Sequence, residues 1–208
     1  MRIAILVYGR LNKCVEHYNN ILESIGKDNI IDFFLSSDNS CESQLNNFIR
    51  LYNPVFYNNN PIEYNYDLGK YPGRKSETNI HNMICHFINK YRVFKLLEEY
   101  TNRENIKYDI VISLRIDIVL NNMFDFNNLI DNTIYIPLGY DSWYHSVNDH
   151  IAYGKLEVMR KYNYIILNII NLLDQQLTIP HPECLTTANI YYYKLQIKRV
   201  NLKYYIDK

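Results

Sequence analysis

Arg115 and Asp117 interrupt an otherwise apolar stretch, Tyr108-Asp-Ile-Val-Ile-Ser-Leu-Arg-Ile-Asp-Ile-Val-Leu120. Ile110 to Leu114 is almost unbroken apolar sequence, with β-branched side chains at Ile110, Val111 and Ile112, as in a strand buried on both faces. A charge in that setting is costly unless it is paired or the strand ends at a site. Alternate positions of an extended chain point the same way, so the two charges emerge on one side. In open α/β sheets ligands bind beyond the carboxyl ends of the strands. The pair is therefore either an internal ion pair closing the strand, or a cation and an anion delivered together to a ligand crevice.

Other residues able to do chemistry fall at the ends of predicted elements. Ile3 to Val7 reads as a strand running into Tyr8-Gly9-Arg10, where a glycine lets the backbone approach a ligand closely. With one glycine there, neither a dinucleotide fingerprint nor a P-loop is matched. A second strand, Ile30 to Leu35, ends in Ser36-Ser37-Asp38, which either caps the next helix or contacts a base or ribose. His81 and Cys85 lie one turn apart on a predicted helix. No further ligand is placed with them by sequence, so an ordinary helix face is expected there. Lys75 and Lys95 flank that segment within reach of phosphates. Leu138 to His150 carries Tyr140, Asp141, Trp143, Tyr144, Asp149 and His150, too aromatic for a linker and too polar for core, which predicts an ordered loop facing a ligand. His181 is fixed between Pro180 and Pro182, and Glu183 opens a helix.

These residues need a scaffold, and the periodicity predicts one. Strand, helix, strand, helix and a short strand at Val55 to Tyr57 favour a parallel, three-layer α/β sandwich. Asn58 to Lys75 is rich in breakers and predicts a long binding loop or lid. Ile80, Met83, Ile84, Phe87, Tyr91, Phe94 and Leu97 form one apolar helical stripe. Strands follow at 110–114, 133–137 and 151–154, then a helix from Lys155 to about Gln176 and an edge strand over Gln196 to Ile206.

The 208 residues allow one full domain, or at most two small ones, and 48% hydrophobic content allows a sizeable core. Lys plus Arg and Asp plus Glu are 22 each, so there is no net basic footprint for nucleic acid. The 21 tyrosines, with frequent Asn and Ile, look like coding bias toward A and T, and individual Tyr and Asn residues carry little weight. Cys14, Cys41, Cys85 and Cys184 form no C-x-x-C pair, which predicts reduced thiols rather than a zinc motif or disulfide framework. Neither a signal peptide nor a transmembrane segment is read from the sequence. The expectation is a soluble cytoplasmic protein (host cytoplasm if it is viral), with peripheral association at a membrane surface left open.

Taken in order, several segments resemble one family. They are Arg2 to Arg10, Phe33-Phe-Leu-Ser-Ser-Asp38, Lys75-Ser-Glu77 before the long helix, and Tyr108 to Asp117. Ile136-Pro-Leu-Gly139, Asn148-Asp-His-Ile-Ala-Tyr-Gly154 and His181-Pro-Glu183 complete the set. The chain is similar, over nearly all its length, to the GT-A-type sugar-nucleotide glycosyltransferases found in large DNA viruses and in bacterial surface-polysaccharide clusters. Each motif is short, and their order carries the resemblance. It implies a single GT-A-like, Rossmann-like α/β/α sandwich over 1–208 with a mostly parallel sheet, 1–120 binding the nucleotide and 121–208 the acceptor.

The resemblance also implies a reaction: transfer of a hexose from a UDP- or GDP-sugar to a hydroxyl of a glycan or glycoprotein, assisted by Mn²⁺ or Mg²⁺ at the diphosphate. Where such folds carry D-x-D, this chain reads Arg115-Ile116-Asp117. Asp117 would then hold the ion with His150 or His181, or Arg115 would itself neutralise the diphosphate. Tyr8, Gly9 and Arg10 would line the nucleotide cleft, Ser37 and Asp38 would meet the base or ribose, and Lys75 would meet the donor sugar or phosphate. Asp149 is the first candidate for general base, with Asp141 and Glu183 in reserve. Trp143, Tyr140 and Tyr144 would stack on sugar rings. Two alternatives stand beside this: a nucleotidyltransferase, and a catalytically silent GT-A-like domain that binds a glycan or scaffolds an assembly.

Overall fold

Ile3, Ile5 and Val7 fall on one face of the first strand, β1 (Arg2–Tyr8), and Ala4, Leu6 and Tyr8 on the other. Both faces are covered, which is why the strand reads as continuous apolar sequence rather than as an alternation. A computed structural model describes residues 1–11, 14–38, 42–71, 79–141 and 146–207. Its centre is a seven-stranded sheet. β2 (Ile30–Ser36) and β3 (Phe56–Asn58) lie to one side of β1, and β4 (Ile110–Arg115) to the other, all parallel. Beyond β4 come β7 (Ile151–Gly154), antiparallel to both its neighbours, then β6 (Thr133–Pro137), and β8 (Gln196–Val200) at the edge parallel to β6. A second, two-stranded sheet pairs β5 (Ile118–Leu120) with β9 (Tyr204–Ile206).

Helices close both faces. α1 (Cys14–Ile25) and α2 (Glu42–Tyr52) bury Ile21, Ile25, Phe48 and Tyr52 against the odd-numbered side of β1. On the opposite face lie α3 (Ile80–Glu104), α4 (Leu156–Asn163) and α6 (Pro182–Tyr192), through Val93, Phe94, Leu97, Met159, Tyr162 and Ile190. Two buried polar contacts tie this layer to the sheet: Ser36 Oγ donates to Asn89 Oδ1 at 2.7 Å and Ser113 Oγ to Asn163 Oδ1 at 2.8 Å. The α/β sandwich with a mostly parallel sheet is thus as the sequence predicts. No helix among the described residues is long and apolar enough to cross a membrane.

Three local expectations differ. The helix over 155–176 is broken into α4, a 3-10 turn (Tyr164–Leu167) and α5 (Ile169–Asp174). Asn163 and Asn168 do this: their side chains take partners at Met159, Ser113, Asn189 and Tyr193, competing with a continuous helical ladder. The terminal segment is two strands, since the chain leaves the main sheet after Val200 and returns along β5. Residues 118–120 are a separate strand because the chain turns at 116–117. The irregular segment over 58–71 is pinned by Leu68, fully buried with Met83 and Ile84 of α3, while 72–78 lie outside the described residues.

Candidate functional site

From β1 the chain winds to β2 and β3 on one side, then returns through α3 to β4 on the other. The carboxyl ends of β1 and β4 therefore flank a topological switch point, where open sheets of this kind form their ligand crevice. A cleft of about 630 Å³ lies there. Its walls include Tyr8, Gly9 and Arg10 after β1, Asp38 after β2, Arg115 and Asp117 at the end of β4, Asp149 and His150 before β7, and His181 and Glu183 at the start of α6. Gly9 has φ +108° with open space around it, a backbone state L-residues rarely adopt, and this turns the chain out of β1 into the cleft wall.

Arg115 and Asp117 are both partly exposed on the cleft and bound to each other. Nε of Arg115 donates to Oδ1 at 3.0 Å and Nη2 to Oδ2 at 2.6 Å. Burial works against the guanidinium charge, but Asp117 outweighs it and raises the Arg115 pKa. Both readings of these residues hold together: they form an ion pair, and the pair faces a crevice.

Asp149 is 4% exposed and lies among basic side chains. His86 Nε2 is 3.0 Å from its Oδ2, an ion-pair distance without hydrogen-bond alignment, and His150 Nε2 is 3.7 Å from Oδ1. Burial alone would raise this carboxyl; His86, His150 and Lys90 reverse that and hold it well below the usual carboxylate range. Burial pushes His86 and His150 down, against the pull of Asp149. Lys90, on α3, is fully buried and has no hydrogen-bond partner among the described residues. Its ammonium sits 3.7 Å above the Tyr162 ring centroid, and burial brings its pKa down to about 7 despite Asp149. The backbone at this point is held by Tyr8, whose hydroxyl donates to the carbonyls of Asp149 and His150 at 3.2 Å each.

His181 occupies the N-cap position of α6 without making a side-chain cap. Its Nδ1 is 2.8 Å from Oε2 of Glu183, again without hydrogen-bond alignment. Contacts with Cys184 and Glu183 raise the His181 pKa to about 9.

Some predicted site residues lie elsewhere. Ser37 is fully buried and donates from Oγ to Asn59 Oδ1, so its side chain packs beneath the cleft rather than lining it. Asp141 accepts from Arg199 at 2.8 and 3.0 Å and from the backbone N–H of Asn148, an anchor for the loop outside the cleft. Lys95 pairs with Glu98, away from the cleft. Tyr140 is 48% exposed and edges toward His150 and Tyr204. Lys75, Trp143 and Tyr144 lie outside the described residues.

Three groups of donors among the described residues converge closely enough to hold a metal ion, their ligand atoms within 4.8 Å of one another: Asp149, His150 and Glu183; Asp38, His81 and Cys85; and Glu16, His17 and Asp207. His150 belongs to the first. Asp117 and His181, expected as its co-ligands, are instead engaged by Arg115 and Glu183.

His86 and Lys90 were not singled out from sequence. Lys90 did carry a signal, a lone cation aligned with Phe87 and Phe94 on the apolar stripe of α3. His86 carried none, since its partner is more than sixty residues away in the chain. No family model matches this chain, and no curated protein matches it either.

Proposed function

We propose that the protein is a glycosyltransferase moving a hexose from a nucleoside-diphosphate sugar to a hydroxyl of a glycan acceptor. The observation that carries this reading is the cleft at the β1/β4 switch point, where Arg10 and Arg115 face an acidic and imidazole group from β7 and α6. Arg10 and Arg115 supply the positive field that an anionic diphosphate needs, with the Arg115 fork able to exchange Asp117 for phosphate oxygens.

The residues present fit a divalent ion. The Tyr204 hydroxyl lies 3.1 Å from His150 Nδ1, which leaves Nε2 facing Asp149 Oδ1 across 3.7 Å. A ring nitrogen fixed from behind in this way is how ligating imidazoles are oriented. Asp149 and His150 would hold Mn²⁺ or Mg²⁺ with donor phosphates completing the shell. When bound, the ion acts as a Lewis acid on the leaving diphosphate. Asp149 suits this role better than that of general base, because a carboxyl held so far below neutrality is a weak proton acceptor. Glu183, whose carboxylate stands within 4.8 Å of the Asp149 and His150 ligand atoms, is assigned the proton of the acceptor hydroxyl.

The bidentate closure of Arg115 on Asp117 favours a second reading, a catalytically silent domain that binds a glycan. Thermal-shift titration with UDP- and GDP-sugars, with and without Mn²⁺, followed by product analysis, separates the two. Stabilisation by a nucleotide sugar with sugar transfer supports the transferase. Stabilisation by glycans alone supports the silent domain, and release of pyrophosphate would instead mark a nucleotidyltransferase.

A further inference from the structure

We infer that Asp38, His81 and Cys85 form a binding site for a Zn²⁺-class transition-metal ion on the wall of the cleft, distinct from the Asp149–His150–Glu183 group. His81 and Cys85 are one turn apart at the start of α3, and the end of β2 brings Asp38 to them, the third ligand that sequence spacing alone lacks. The Cys85 sulfur lies 3.6 Å from His81 Nε2. A tetrahedral ion with a metal–sulfur bond of about 2.3 Å and a metal–nitrogen bond of about 2.0–2.1 Å separates those two atoms by about 3.6 Å.

His81 and Asp38 are oriented from behind. Nδ1 of His81 is 2.9 Å from the Tyr64 hydroxyl, so Nε2 is the nitrogen turned to the sulfur. Oδ1 of Asp38 accepts the Ile62 N–H at 3.1 Å, which fixes the carboxylate beside the Cys85 sulfur. Such outer partners are what ligating His and Asp residues ordinarily have. A thiolate with an imidazole selects zinc-like ions over Mg²⁺ or Ca²⁺. Binding replaces the thiol proton, which leaves to solvent. All three residues line the cleft, so a three-ligand ion keeps its fourth position open toward it, for water or a phosphate oxygen.

The test is spectroscopic and does not depend on the transfer reading. Metal-free full-length protein is titrated with Co²⁺ alone, then with Zn²⁺. Thiolate-to-cobalt charge-transfer absorption with tetrahedral visible bands, displaced by Zn²⁺, is the expected result. Cys85→Ser abolishes the charge-transfer band, whereas Cys184→Ser retains it. Asp38→Asn and His81→Gln each weaken binding at least about tenfold, and Tyr64→Phe weakens it by about 10–100-fold while keeping the spectrum. Because Cys85→Ser can disturb α3, X-ray absorption at the zinc edge of the wild-type protein is the second readout, with one sulfur neighbour expected. Absence of the charge-transfer band, its survival in Cys85→Ser, or a zinc shell without sulfur overturns the site.

Discussion

Lys90→Met gives the most direct test of how this cleft is built. Lys90 has no hydrogen-bond acceptor at its ammonium among the described residues, only the faces of Tyr162, Tyr8 and Phe87 and the field of Asp149. Its pKa falls from 10.5 to about 7. The folded protein therefore binds fewer protons at this site than the unfolded chain across that window, and stability must rise with pH through it. The penalty is fully present below the folded pKa and is relieved as pH climbs toward the unfolded one. The whole interval corresponds to about 5 kcal/mol, and the portion between pH 7 and pH 9 to about 2 kcal/mol. Methionine keeps the length and removes the titration. Urea unfolding of both proteins at several pH values, taken as a difference, cancels the other titrating groups. Wild type should gain about 2 kcal/mol on Lys90→Met from pH 7 to pH 9, with the variant the more stable protein at pH 7. A flat difference curve would refute the reasoning, because it would mean that the ammonium keeps its charge in the fold.

Three further perturbations probe the same region. His86→Ala removes the imidazole nearest Asp149, which burial holds toward its neutral form, and should cost about 1–3 kcal/mol in urea unfolding at pH 7, with Asp149→Asn in the same chain restoring part of it; an unchanged unfolding midpoint would show that His86 does not support the buried carboxylate. Asp117→Ala should change stability by less than about 1 kcal/mol in urea unfolding, since both partners are near 30% exposed; a loss above about 2 kcal/mol would show that the pair holds the end of β4 in place. Gly9→Ala should cost about 1–3 kcal/mol through its positive φ alone, because nothing lies within 4 Å of an added Cβ; an unchanged melting curve would mean that the turn relaxes freely.

What was legible in the sequence was whatever depends on neighbours along the chain. The buried strands announced themselves as apolar runs, and the helices as stripes. Gly9, Arg115 and Asp149 stood out as residues out of character with their surroundings. What depended on distant pairing did not show. His81 and Cys85 read as a helix face because Asp38 reaches them from another strand. Ser37 read as a ligand contact because nothing local points to Asn59, and Asp141 because nothing local points to Arg199. The split of the helix after Asn163 was hidden in the same way, since a polar side chain in a helix breaks it only when a partner such as Ser113 waits across the sheet.

The reversed strand explains why a buried carboxylate and an imidazole stand beside Arg115 in the cleft. In a parallel sheet only carboxyl ends reach the ligand edge, and β1, β2 and β4 bring Tyr8-Gly9-Arg10, Asp38 and Arg115 there in that manner. β7 runs the other way, with Leu114 opposite Ile151, so its amino end arrives at the same edge. The residues just before it, Asp149 and His150, are thereby set beside Arg115, whose N–H donates to the His150 carbonyl at 3.2 Å. Were β7 parallel, Gly154 and Lys155 would stand there instead, and the carboxylate and imidazole would lie at the far edge of the sheet. One antiparallel strand thus places an anion and an imidazole opposite the cations that the parallel strands supply, and α3 seals the arrangement from below with His86 and Lys90.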